Sequence, residues 1–133
     1  MSEATNIIQI TPFMHVSNLD DALAFFNDIL GFQTLHRHGD GYAYVHREKA
    51  GMRIMVSEGA KTRADATPGN RPFTYYIDVC DVDAMHAELK PRLDTLPPGD
   101  VVGPVDQPYG QRELMILAPD GNVLVFGARI RTA

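Results

Sequence analysis

Five histidines, His15, His36, His38, His46 and His86, are the first residues here that could do chemistry. His36 and His38 stand two apart in a strand-like run, a spacing that places both imidazoles on one face. Imidazole pairs hold a divalent ion when a carboxylate or a further imidazole completes the set. No carboxylate stands at such a spacing and His86 falls in a helical segment, so a histidine metal centre is not expected. His15 and Asp78 offer acid–base character instead. They occupy matching places in two segments that read alike, and alternation points both to the side of Thr11 and Thr74, where either the two meet as a hydrogen-bonded pair or each stands at a strand end in water.

The aromatic set is Phe13, Tyr42, Tyr44, Tyr76 and Tyr109. Alternation turns Phe13 and Tyr76 away from Met14 and Ile77, which should pack on helices, and puts Tyr42 and Tyr44 on one face. Rings gathered along a cleft suit planar heteroaromatic ligands, with phenol edges left for hydrogen bonds. In "RELMIL", Glu113 should face the same cleft with Leu114 and Ile116 buried behind it. A carboxylate there would meet a cationic ligand group or pair with Arg53. As a lone carboxylate it points to binding rather than general-base catalysis. Cys80, after a strand and before a helix cap, is expected to be buried and inert.

The elements that must position these groups come in two sets. "ITPFMHVSNLDDAL" (10–23) lies over "FTYYIDVCDVDAMH" (73–86) with Thr11 on Thr74, Phe13 on Tyr76 and Asp20 on Asp83. In the first set a strand spans Ile8 to Val16. Asn18 caps a helix with Asp20 and Asp21 in its first turn, and Leu19, Leu23, Phe26 and Leu30 recur down to Gly31. Strand-like "FQTLHRH", "YAYVHRE" and "MRIMVSE" follow, separated by glycine turns. Residues 59–72 read as a loop and hinge. In the second set Asp81 caps a helix that runs to Lys90 and ends or kinks at Pro91. A short strand around Val101–Val102 precedes a hairpin of "RELMIL" and "NVLVFGA" across "APDG". The aspartates at 20, 21, 81 and 83 are helix-start charges, not paired catalytic acids.

The chain thus reads as an α+β protein of two βαβββ modules, about 7–58 and 72–128, in one domain spanning 1–133. Its 133 residues suffice for one real core, and a formal charge of −5 argues against nucleic-acid binding. One cysteine excludes an intrachain disulfide and a thiolate zinc site, and fits a reducing cytoplasm. The opening "MSEATNIIQITPF" has neither a basic start nor a long apolar run, so no secretory signal is expected, and no window approaches a membrane helix.

Three segments, "HVSNLDDALAFFNDILGF", "YIDVCDVDAMHAEL" and "QPYGQRELMILAPDGNVLVF", resemble the vicinal oxygen chelate superfamily of glyoxalase I, bleomycin resistance proteins and extradiol dioxygenases. The order of the last segment is most similar to bleomycin resistance proteins. The resemblance implies a curved mixed-sheet half-barrel, with modules of one chain or of two subunits enclosing a cleft. It implies metal-ligand positions at Thr11, about Met55, Thr74 and Val125, none of which carries an imidazole or carboxylate. It also implies that Tyr109 stands beside the ligand, with His36 and Tyr42 near aromatic positions and Arg112 beside Glu113. The expectation is a homodimeric, metal-free antibiotic-binding protein with no cofactor. Its cleft would hold Phe13, His15, His36, Tyr42, Tyr44, Met55, Tyr76, Asp78, Tyr109, Arg112 and Glu113. The rival is a glyoxalase-like or dioxygenase-like enzyme with a rebuilt metal site.

Overall fold

Asn18 and Asp81 start the two helices as capping chemistry requires. Each sits in extended backbone and accepts an N–H three residues on, from Asp21 and Ala84 respectively. The computed structural model describes residues 6–62 and 73–131, and there the helices interrupt two runs of strands. The first run is β1 (Phe13–Val16), α1 (Leu19–Ala24), a π-helical turn (Phe25–Ile29), β2 (Gln33–His38), β3 (Tyr42–Arg47) and β4 (Ala50–Val56). The second is β5 (Phe73–Asp78), α2 (Val82–Leu93), β6 (Val101–Asp106), β7 (Gln111–Leu117) and β8 (Asn122–Arg129). The sheets have matching orders, β1-β4-β3-β2 and β5-β8-β7-β6, and in each the outer pair β1–β4 or β5–β8 is parallel. Two βαβββ modules, each with a four-stranded mixed sheet, are therefore present as expected.

One face of each sheet is closed by its helix. Met14, Val16, Ala43, Val45, Met52 and Ile54 of the first sheet join Leu114, Ile116, Leu124 and Phe126 of the second in one core with Leu19, Phe26, Leu30, Val82 and Leu89. Burying a side chain the size of Phe26 or Phe126 contributes about 2–3 kcal/mol, so this face is fixed by packing. The other face of each sheet is left open, and the candidate functional residues stand there.

Several local expectations change. The first helix widens into π geometry from Phe25, which lets the adjacent Phe25 and Phe26 both turn inward, their rings 5.9 Å apart and edge to face. The chain reverses at Gly31, whose φ of 76° is open to glycine. α2 runs through Pro91 to Leu93, because Leu89 and Leu93 are buried and hold its last turn on the core. β6 is longer than expected, reaching Asp106 with a register shift between Val102 and Val105. β1 is shorter. Its ladder begins where Arg53 N–H donates to Pro12 C=O, and Ile7, Ile8 and Ile10 before it are 85–92% exposed. Cys80 is exposed, not buried, since it lies in the surface turn between β5 and α2. Of the loop expected over 59–72, residues 59–62 belong to a 3₁₀ turn that starts at Glu58, and 63–72 lie outside the described residues. No helix among the described residues is long and apolar enough to cross a membrane.

Candidate functional site

Strand register sets the open face of module one in rows. Phe13, Arg53, Tyr44 and His36 stand side by side across β1, β4, β3 and β2. His15, Met55, Tyr42 and His38 form the next row. Of the expected site residues, Phe13, His15, His36, Tyr42, Tyr44 and Met55 are thus brought to one surface. A hollow of about 240 Å³ opens there, lined by Gln9, Thr11, His36, Tyr42, Tyr44 and Arg53. Phe13 and His36 flank Tyr42 at ring separations of 6.4 and 6.0 Å. Arg53 stands among these rings, donating from Nη1 to the Tyr42 hydroxyl at 2.6 Å, with its Cζ 6.0 Å from the Phe13 ring and 5.8 Å from Tyr44. Tyr44 lies flat because Gly51 is beneath it, where a Cβ would run into the phenol.

The open face of module two repeats the rows with other side chains. Tyr76, Val125, Met115 and Val102 form one, and Asp78, Gly127, Glu113 and Val105 the next. Glu113 is 2% exposed, yet it accepts a 2.8 Å hydrogen bond from the Tyr109 hydroxyl, and Tyr109 itself is 63% exposed. Gln111 Nε2 donates to the Tyr76 hydroxyl at 3.0 Å. Burial raises the Tyr76 phenol above its ordinary value, and its hydrogen bond to Glu113 raises it further against the pull of Gln111. Tyr76 crosses Gly127, where an added Cβ would strike the phenol. Met115, Val123 and Val125 form a small apolar cluster of their own beneath these rings.

The remaining expectations are revised by geometry. Arg112 is on the opposite side of β7 from Glu113 and is held by Asp83 and Asp106 at 3.0 and 2.9 Å, so it does not reach the open face. No side-chain hydrogen bond or ion pair joins Asp78 to His15 among the described residues, Asp78 standing in β5 beside Gly127 of β8. Arg53 and Glu113 do not pair either: the first bonds Tyr42 and the second Tyr109. The two sets of residues line separate faces, and the hollow takes all its lining from module one.

Sequence reasoning missed the parts that lock the modules together. Asn122 is fully buried and donates from Nδ2 to His15 C=O and Pro119 C=O, both at 2.9 Å. Asp120, in left-handed backbone at φ 61°, accepts Ser17 N–H at 2.8 Å just ahead of the first helix cap. Tyr75 donates to Phe13 C=O at 3.0 Å. Arg47 reaches Leu30 C=O and, at 2.6 Å, Glu88 on α2, and this hydrogen bond holds the Glu88 carboxyl below its ordinary range. The signal for the first two was "PDGN", read only as a hairpin turn.

A metal does not fit the inherited positions. Register makes Arg53, not Met55, the counterpart of Val125, since Phe13 faces Arg53 as Tyr76 faces Val125. Two hydroxyls, an alkyl group and a guanidinium offer no ligand set, and the guanidinium repels a cation. Among the described residues no three His, Cys, Asp or Glu side chains gather around one point.

A family model described as glyoxalase superfamily protein matches residues 3–132. The chain belongs to the glyoxalase superfamily. Within it, a bleomycin resistance protein of Staphylococcus aureus is 26% identical over 136 residues, covering 95% of this chain and all of that one. The solved bleomycin-binding protein of Streptomyces verticillus, complexed with copper(II)-bleomycin, superposes with a TM-score of 0.74 at 21% identity, over 96% of this chain and 100% of that one. A lactoylglutathione lyase from Agrobacterium tumefaciens superposes at 0.66 with 20% identity, over 93% and 96%. The glyoxalase-like fold is thereby shown for this superfamily member, and its likeness to bleomycin resistance proteins is borne out. Binding and lyase proteins share that fold, so it does not choose between them.

Proposed function

We propose that this protein sequesters a planar, cationic small molecule in the manner of a bleomycin resistance protein, without converting it. The observation that carries the reading is the pairing of Tyr109 with Glu113. The ring is exposed while its hydroxyl is spent on the buried carboxyl group behind it. A π face backed by negative charge is a stacking surface for a planar cation. Asp78 adds a second acceptor on the same face. The absence of a fitting donor set at Thr11, Arg53, Thr74 and Val125 favours capture over metal chemistry.

The protein acts as a homodimer in this reading. Each chain leaves two open faces, with Phe13, Met55, Tyr76 and Val105 all 37–44% exposed, beside an exposed Ile7, Ile8 and Ile10. Two copies set face to face would cover this apolar surface and enclose the ligand between modules. The single exposed thiol of Cys80 suits a cytoplasmic setting. The test is calorimetric titration with bleomycin, with and without divalent metal, alongside light scattering for the dimer. Tyr109→Ala should weaken binding by about 1–3 kcal/mol. Unchanged affinity would take Tyr109 out of the site. A stoichiometric metal whose removal abolishes a turnover activity would replace capture with catalysis.

A further inference from the structure

We propose that the open face of module one is a carboxylate subsite anchored by Arg53, so that the captured ligand carries a planar ring system with a carboxylate at one end. The inference rests on the sequestering reading and narrows its ligand class. Arg37, Arg47, Arg92 and Arg112 each stand within 4 Å of a carboxylate, at 2.9, 2.6, 3.6 and 3.0 Å. Arg53 has no carboxylate partner among the described residues, yet it is held in place by its neighbours. One donor is committed to Tyr42, while Phe13 and Tyr44 flank the guanidinium near the limit of cation–π contact. Its Nε and Nη2 donate to nothing among the described residues, which leaves one edge of the fork open.

Among the described residues, none of the side chains sharing this face is an acid that could answer that charge. The two rows of this face hold Phe13, Tyr44 and His36, then His15, Tyr42 and His38, with Met55 the remaining neighbour. The acids at the ends of β3 are engaged elsewhere, Asp40 with Arg37 and Glu48 with Arg47. Beside Arg53 lies the 240 Å³ hollow, with the Gln9 amide, the Thr11 hydroxyl and the His36 ring on its wall. A guanidinium edge accepts a carboxylate through two parallel hydrogen bonds, and the flanking rings take the plane attached to it. The chain carries a formal charge of −5, so this is local rather than global attraction. In a face-to-face dimer the same ligand would set its cationic end against Glu113 and Tyr109.

The test uses three ligands with one ring system: 2-naphthoate, 2-naphthylmethanol and 2-naphthylmethylammonium, titrated calorimetrically into the full chain. Naphthoate should bind about tenfold tighter than the alcohol, an advantage that falls as salt rises. Arg53→Gln should erase that advantage, bringing naphthoate and the alcohol to equal affinity, and Arg53→Lys should keep part of it. Equal affinity of naphthoate and alcohol for the unaltered protein would overturn the subsite, as would a preference that survives Arg53→Gln. Equal affinity is the outcome if a second copy already places its own carboxylate on Arg53. Bleomycin bound without a naphthoate preference removes the subsite and leaves sequestration standing. Naphthoate bound through Arg53 without bleomycin binding does the reverse.

Discussion

Module one turns an arginine, three aromatic rings and a run of histidines to the open side of its sheet. Module two turns two carboxyl groups, two tyrosines and a bed of valine and methionine. The rows correspond one for one. Phe13 answers to Tyr76, Arg53 to Val125, Tyr44 to Met115 and His36 to Val102, while in the next row His15 answers to Asp78 and Tyr42 to Glu113. The buried parts of the closed faces, by contrast, are apolar in both modules. The difference teaches where the fold constrains chemistry. A closed-face side chain must fill a fixed volume, so both modules keep it apolar. Open-face side chains stand outside that shared core, Met115 and Val125 packing with Val123 in a small cluster of their own, and charge is tolerated among them. One scaffold therefore presents a basic, histidine-rich surface and an acidic, apolar one.

The largest effect should come from parting the two modules. Asn122→Ala leaves His15 C=O and Pro119 C=O without their buried donor and should cost about 2–3 kcal/mol, read as a lowered denaturant midpoint. Loss of that size would show that the two faces depend on one clamp. No loss would show that they are held independently.

The glycines beneath the tyrosines sharpen the contrast more selectively. Gly127→Ala displaces Tyr76 and Gly51→Ala displaces Tyr44, each at a stability cost of about 1 kcal/mol, because a phenol must swing aside. Gly127→Ala should weaken a planar cation and spare a planar carboxylate, and Gly51→Ala should do the opposite. Equal effects of both variants on both ligands would erase the division of labour between the faces.

The smallest effect belongs to a contact outside both faces. Arg47 holds Glu88 below its ordinary range in the folded protein. The stabilisation is therefore present in full above the usual carboxylate range and is lost as pH falls through the depressed folded value. Glu88 is 47% exposed, so solvent screening limits its worth to about 0.5–1 kcal/mol. Glu88→Gln should be less stable than the unaltered chain at neutral pH, with the gap closing in acid, and should bind both ligand types as before. Denaturant titrations at neutral and acid pH read the first outcome, and calorimetry the second.

Much of this architecture was legible in the chain. Helix starts followed from Asn18 and Asp81, because capping is local hydrogen bonding. The doubled module followed from matched segments, and the strand faces from alternation at Met14, Leu114 and Ile116. The extent of β1 was overread, since an alternating Ile8–Val16 says nothing about whether a partner strand exists to pair with it. Arg112 and Glu113 form the pair that the family resemblance places at the ligand, yet adjacent strand residues point to opposite sides and only Glu113 faces it. Arg53 was seen only as a partner for Glu113, and its place among Phe13, Tyr42 and Tyr44 depends on three separate strand pairings.

The amino-acid sequence by itself determined the two modules, the apolar closed faces and the absence of metal donors at the inherited positions. These rest on local propensity, periodicity and the chemistry of single side chains. Tertiary structure alone decided that Arg53 replaces Met55 in register with Val125, that Asn122 and Asp120 bind module two to module one, and that the aromatic set divides between two faces. Those facts depend on which backbone lies 4–5 Å from which. That proximity is fixed by core packing over long stretches of chain, and no short window of residues carries it.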